Sequence, residues 1–187
     1  LFEEQAQLYP LANAVVDRGR TWSYQEVNER ANALSILLVK RGLKSGDSVM
    51  VYCNQSVELV IAFFAVLKAG GCYIPVTADW PEKRIVHIYH DSQAKIVLTS
   101  HAIKKRSASI PESCMINLDT FLASKHSLSP VPATCEPCLE KAYMIYTSGS
   151  NGEPKGVIVG HSGIANLKYL YENDWAICRT DRIAQFS

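Results

Sequence analysis

The chain has 187 residues, 48% of them hydrophobic, with 19 basic and 18 acidic residues giving a formal net charge of +1. That length favours one domain with a substantial core, and the balanced charge offers no basis for binding nucleic acid or an anionic membrane. The longest apolar run, Leu59 to Leu67, is far short of the ~20 residues a membrane helix needs, and the acidic start LFEEQ does not fit a signal peptide, so a cytoplasmic protein is expected.

Leu1 to Leu8 is predicted to form a short helix, followed after Pro10 by a strand over Ala14 to Asp17 and a turn through Arg18 and Gly19, a β-hairpin entry. Ser23 and Glu26 form a capping box, and Val27, Ala31, Leu34 and Leu38 recur at helical spacing until Gly42 ends the segment. Val49 to Cys53 reads as a buried strand. Ser56 is placed to cap a second helix running through Lys68 and closed by Gly70 and Gly71, after which Cys72 to Val76 is a strand.

Asp79, Pro81 and Glu82 signal a third helix with Ile85 and Ile88 on its inner face, and Ile96 to Thr99 is the next strand. This βαβαβ alternation implies a parallel sheet with right-handed crossovers. Between Ser100 and Glu140 the prolines at 111, 130, 132 and 137 interrupt the order, and only Leu118 to Ala123 looks helical. Beyond that excursion, a strand at Val157 to Val159 and a helix from Ser162 to about Asn173 complete the reading.

Six cysteines are scattered without the density of a disulfide scaffold, so reduced thiols are expected. Cys135 and Cys138 form a CxxC, but no second CxxC or histidine pair stands at zinc spacing, and no metal site is assigned. His87, His90, His101 and His126 show no convergent carboxylate or cysteine pattern. They are read as surface or core residues.

The chemistry concentrates in YMIYTSGSNGEPKG, from Tyr143 to Gly156. Tyr143 to Tyr146 suit a buried strand, and then hydroxyls and glycines replace bulk. A glycine-rich loop can turn backbone N–H groups toward an anion, Ser and Thr hydroxyls can donate to phosphate oxygens, and Lys155 adds a cation. Pro154 restricts the backbone before the lysine, while Gly152 and Gly156 bracket the expected turn. The pattern is not the Walker loop, which needs Gly before the Lys and Ser or Thr after it, nor is it a dinucleotide fingerprint.

Tyr146 to Gly156 resembles the ATP-phosphate loop of the adenylate-forming (AMP-binding) superfamily, usually written YTSGTTGxPKG, with Asn151 where that pattern carries Thr. TWSYQEVNERANALSILLVKRG (Thr21 to Gly42) and LKAGGCYIPV (Leu67 to Val76) are similar to early blocks of the same superfamily. HSGIANL (His161 to Leu167) and DRIAQFS (Asp181 to Ser187) resemble adenylation domains of nonribosomal peptide synthetases more than acyl-CoA synthetases.

The resemblance implies an α/β fold, with parallel or mixed sheets flanked by helices, forming the N-terminal part of the large domain of an adenylate-forming enzyme. It implies an ATP-dependent ligase that activates an amino acid or related carboxylic acid as an acyl-adenylate. The acyl group would pass to a phosphopantetheine thiol on a carrier protein, with condensation domains in the same assembly line. By similarity, Thr147, Ser148, Gly149, Ser150, Asn151, Gly152 and Lys155 contact the phosphates, with Mg²⁺ accompanying ATP. His161, a lone histidine at a helix start, is read either as facing the nucleotide or substrate side or as a structural hydrogen-bonder. The superfamily's catalytic lysine has no counterpart within the chain, so no residue here is given a catalytic role. Residues 1–187 are therefore read as a partial adenylation domain, ending before the substrate pocket and the small C-terminal domain of a larger enzyme. Two alternatives stand beside this: a fragment of an acyl- or aryl-CoA ligase, and a non-catalytic nucleotide-binding or interaction remnant.

Overall fold

The computed structural model describes residues 1–100, 109–124, 138–148, 153–178 and 180–185. An opening helix, α1 (Phe2–Leu8), leads to the antiparallel hairpin β1 (Asn13–Asp17) and β2 (Arg20–Ser23). Arg18 and Gly19 both take positive φ, 49° and 78°, as a tight two-residue turn between twisted strands requires. Helix α2 (Tyr24–Lys40) starts at the expected capping box: Ser23 Oγ accepts from the Glu26 N–H at 3.1 Å, and Glu26 Oε2 accepts from the Ser23 N–H at 2.9 Å. It ends in a reversal at Gly42, φ 86°, where the Leu43 N–H reaches back to the Leu38 carbonyl.

Five further strands and three helices follow up to the hairpin of interest. They are β3 (Ser48–Tyr52), α3 (Val57–Lys68), β4 (Cys72–Val76), α4 (Glu82–Asp91), β5 (Ile96–Thr99), β6 (Met115–Asn117), α5 (Leu118–Ala123) and β7 (Tyr143–Ser148). A final strand, β8 (Pro154–Val159), and helix, α6 (His161–Asn173), close the chain order. Six strands make one sheet in the order β6-β5-β3-β4-β7-β8. All neighbours are parallel except β7 and β8, which are antiparallel. The sheet is mixed rather than wholly parallel, because β7 and β8 pair antiparallel; a parallel pair would need a crossover of about a dozen or more residues, and their ends at Ser148 and Pro154 are too close in sequence for one.

Central β3 is buried from Val49 to Tyr52, as a strand covered on both faces must be, and it carries an unbroken apolar run. Crossovers leave β3 toward β4 and β4 toward β5 in opposite directions across the sheet. Right-handed connections therefore put α3 and α4 on opposite faces. Helix α2 packs against α3, and α1 is fixed to α3 by Phe2 stacked on Phe64 with ring centroids 3.7 Å apart and by the Glu3–Lys68 ion pair. On the other face Ile85 and Ile88 of α4 are buried, as their spacing predicted.

Three expectations need correction. Ser56 occupies the N-cap position of α3, but its hydroxyl donates to the Asn54 carbonyl, and it is Asp17 Oδ2, from β1, that accepts from the Val57 N–H at 3.2 Å. Strand β8 begins at Pro154, three residues earlier than expected, so Pro154, Lys155 and Gly156 belong to a strand and not to a turn. Finally, β7 is only partly buried: Tyr146 is, whereas Ile145 is 45% exposed. The short strand β6 was not anticipated; three residues are too few to show a periodicity.

Candidate anion-binding hairpin

Strands β7 and β8 bring two of the expected site residues face to face. Thr147 pairs with Lys155 and Ser148 with Pro154, while Tyr146 lies opposite Gly156. Directly opposed residues project to the same side of a hairpin with Cβ atoms about 5 Å apart. The Thr147 hydroxyl and the Lys155 ammonium thus share one face, both exposed, one strand residue back from the connection on either side. Gly149, Ser150, Asn151 and Gly152 lie outside the described residues. Cys135, His101 and His126 do as well.

The opposite face of the hairpin is closed by α4. Tyr146 is buried, its ring packed over Gly156; a Cβ on that glycine would stand 3.1 Å from Tyr146 Cζ and 2.7 Å from Met144 Sδ. The Tyr146 hydroxyl donates to Asp91 Oδ2 at 2.6 Å. Burial, and then the neighbouring Asp91 carboxylate, push the phenol upward from its usual range, so it stays a protonated donor. Arg84 donates to the Tyr146 carbonyl at 3.4 Å and lies over the Trp80 ring, and His87 Nε2 is 3.2 Å from the Pro154 carbonyl, to which a ring N–H there donates. Reasoning from sequence missed these three residues, having placed His87 simply on the surface or in the core. Their signal was the polar series 84, 87, 91 beside the apolar pair Ile85 and Ile88 on one helix.

His161 begins α6, and its backbone N–H donates to the Leu139 carbonyl at 3.0 Å, tying the helix start to the turn that precedes β7. The two buried thiols are suppressed as nucleophiles: burial pushes Cys53 up to about 12 and Cys72 up to about 11. A cavity of about 810 Å³ runs along α3 and the carboxyl ends of β3 and β4, reaching Asn54, Phe63, Thr77, Asp79 and Gln185, but no residue of the β7–β8 hairpin lines it. Among the described residues no group of three or more His, Cys, Asp or Glu is arranged to hold a metal ion. The hairpin's donors, hydroxyls and an ammonium, fit an anion and do not make a metal cage. No described helix is long and apolar enough to cross a membrane.

An ATP-phosphate pattern on a β-hairpin, at the carboxyl edge of a sheet flanked by helices, coincides with a match to the AMP-binding enzyme family that runs from residue 2 to residue 187. The chain belongs to the AMP-binding enzyme family. Among its relatives, tyrocidine synthase 1 of Brevibacillus parabrevis is 39% identical across all of this chain, and gramicidin S synthase 1 of Brevibacillus brevis is 35% identical. The chain spans 17% of the length of each. The crystal structure of a nonribosomal peptide synthetase, FmoA3, superposes with a TM-score of 0.86 at 34% identity over 97% of this chain and 19% of that one. O-succinylbenzoate coenzyme A synthetase of Bacillus subtilis, at 21% identity and a TM-score of 0.83, shares the fold over 97% of this chain and 47% of that one. For an AMP-binding enzyme, the hairpin face bearing Thr147 and Lys155 is the natural place to look for phosphate contact.

Proposed function

We propose that residues 1–187 form the phosphate-binding part of an adenylation domain that activates an amino acid for nonribosomal peptide synthesis. The observation that carries this reading is the likeness along the whole chain to peptide synthetases such as tyrocidine synthase 1, with the phosphate pattern seated on the β7–β8 hairpin. FmoA3 has been crystallised in an AMPPNP-bound form and with α-methyl-L-serine-AMP, which supports the same chemistry here.

In that chemistry a carboxylate oxygen of the amino acid attacks the α-phosphorus of ATP. A new P–O bond forms, the bond to the oxygen bridging the α- and β-phosphates breaks, and pyrophosphate leaves. Negative charge accumulates on the leaving oxygens, so preorganised donors beside them lower the barrier. Thr147, Ser148, Gly149, Ser150, Asn151, Gly152 and Lys155 are assigned to phosphate contact. Lys155 and Thr147, opposed across the strands, grip from both sides of the loop. A magnesium ion bound with the polyphosphate would neutralise part of that charge. The acyl group then passes to the phosphopantetheine thiol of a carrier protein, a partner in a multidomain, cytoplasmic assembly that also holds condensation domains.

Lys155→Ala in the full-length protein tests the reading. Losing a charge-assisted hydrogen bond costs ~1.5 to 3 kcal/mol, so amino-acid-dependent pyrophosphate exchange should weaken roughly 10- to 100-fold. Unchanged exchange would remove Lys155 from the site. Exchange supported only by aryl or fatty acids would move the protein from peptide synthesis to acyl activation.

A further inference from the structure

The hairpin that presents Thr147 and Lys155 is weakly held by the sheet. Among the described residues, Tyr73 with Tyr143, at the start of β7, is the one register pair between β7 and its parallel neighbour β4, and β8 pairs with β7 alone. From Met144 onward the two strands therefore run toward the loop without ladder support from β4 among the described residues. A free hairpin of two strands is marginally stable in water. Something other than the sheet must set where Thr147 and Lys155 stand.

That support comes from one stripe of α4. Arg84, His87 and Asp91 recur at i, i+3 and i+7, the spacing that aligns side chains along one helix face. Arg84 and Asp91 reach the carbonyl and hydroxyl of Tyr146, one residue before Thr147. His87 reaches the carbonyl of Pro154, one residue before Lys155. Both strands are thus gripped at the residue adjoining each proposed phosphate contact, and α4 is itself anchored through Ile85 and Ile88.

We propose that Arg84, His87 and Asp91 are positioning residues that lock the β7–β8 hairpin onto α4 and so set the affinity for the ATP phosphates. The inference rests on the phosphate-binding role assigned to the hairpin. None of the three touches nucleotide; they act through Tyr146 and Pro154. The Asp91–Tyr146 bond is the strongest member, being short, charged and made by a buried phenol.

The test compares Asp91→Ala, Asp91→Asn, Tyr146→Phe and the double variant Asp91→Ala/Tyr146→Phe in the full-length protein, with Lys155→Ala as control. Asp91→Ala and Tyr146→Phe should each raise KM for ATP about 10-fold with little change in KM for the amino acid, the size expected when one hydrogen bond to a charged group is lost. The double variant should be no worse than either single one, since both remove the same bond. Asp91→Asn keeps a carbonyl acceptor and should restore most of the ATP affinity. Titration with a fluorescent ATP analogue reads the same shift without turnover, and urea midpoints separate it from unfolding. Equal losses toward both substrates, additive losses in the double variant, or an Asp91→Asn as poor as Asp91→Ala would overturn the proposal. If Lys155→Ala weakens ATP binding but Tyr146→Phe and Asp91→Ala do not, the role of α4 fails while the phosphate reading stands; if none of them does, both fall.

Discussion

Gly156 carries a demand that only its neighbours explain. It sits inside β8, opposite Tyr146, where the ring and the Met144 sulfur occupy the space a side chain would need. Its backbone angle is not of the left-handed kind, so the constraint is one of volume alone. Gly156→Ala should therefore push Tyr146 off Asp91 or open the hairpin, costing about 1 to 3 kcal/mol as overpacking does. A lower thermal midpoint together with reduced pyrophosphate exchange is the expected result. A fully stable and active Gly156→Ala would show that Met144 and Tyr146 yield without cost. At this scale the sequence was informative about residue type and silent about reason: Gly156 was expected to bracket a turn, and it makes room for an aromatic ring instead.

Among the elements, helices α2 and α3 show how differently an N-terminus can be legible. Helix α2 is capped by a residue three positions from the group it satisfies, so Ser23 and Glu26 announce it in the sequence. Helix α3 is capped across 40 residues by Asp17, which no local pattern reveals. Asp17→Ala should lower stability by about 1 kcal/mol, the usual worth of an N-cap, while Ser56→Ala should stay within about 0.5 kcal/mol. Urea midpoints at constant slope distinguish them, and a larger effect at Ser56 would restore the local cap. The α2 box also has a pH signature. The Ser23 backbone N–H, more than any other contact, holds the Glu26 carboxyl below its ordinary value. A lowered folded-state pKa contributes stability that is present above the unfolded value near ~4.3 and is lost as pH falls through the folded one. Because the Glu26 side chain is 43% exposed, that contribution is small. Glu26→Gln, which removes the titrating carboxyl, should flatten the stability profile on the acid side of about pH 4.5, and an unchanged acid limb would refute the link.

For the whole molecule, the decisive feature is how much apolar surface the last two strands and the last helix leave uncovered. Ile145, Val157 and Ile158 are 45%, 50% and 47% exposed on the hairpin, and Trp175 is 68% exposed beyond α6, a helix with no buried residue among those described. Edge strands with apolar faces are templates for association. Residues 1–187 produced alone should accordingly self-associate, visible as a concentration-dependent sedimentation coefficient, and a Val157→Lys/Ile158→Lys variant should suppress it. The same isolated chain should form no acyl-adenylate. On the proposed reading the hairpin would hold only the phosphate end of ATP, and a carboxylate misplaced by ~1 Å costs ~100-fold. A monodisperse chain with robust amino-acid-dependent exchange would contradict both expectations.

What the sequence determined by itself was local or ordered along the chain. Periodicity and a capping box located α2, apolar runs located β3, β4 and β5, and an ordered motif singled out residues 146–156 as the candidate for chemistry. These signals are legible because their physics acts between near neighbours: a helical face repeats every three or four residues, and a cap satisfies its own first turn. The tertiary structure alone decided that Pro154 to Gly156 make an edge strand, where a proline needs no ladder partner and a glycine admits the Tyr146 ring. It alone brought Asp17 to the start of α3 and Arg84, His87 and Asp91 to the base of the hairpin. Those contacts join residues 40 to 67 positions apart. Such pairings exist only once β3, β4 and their crossovers have folded, because the sheet order, not the chain order, sets which elements meet.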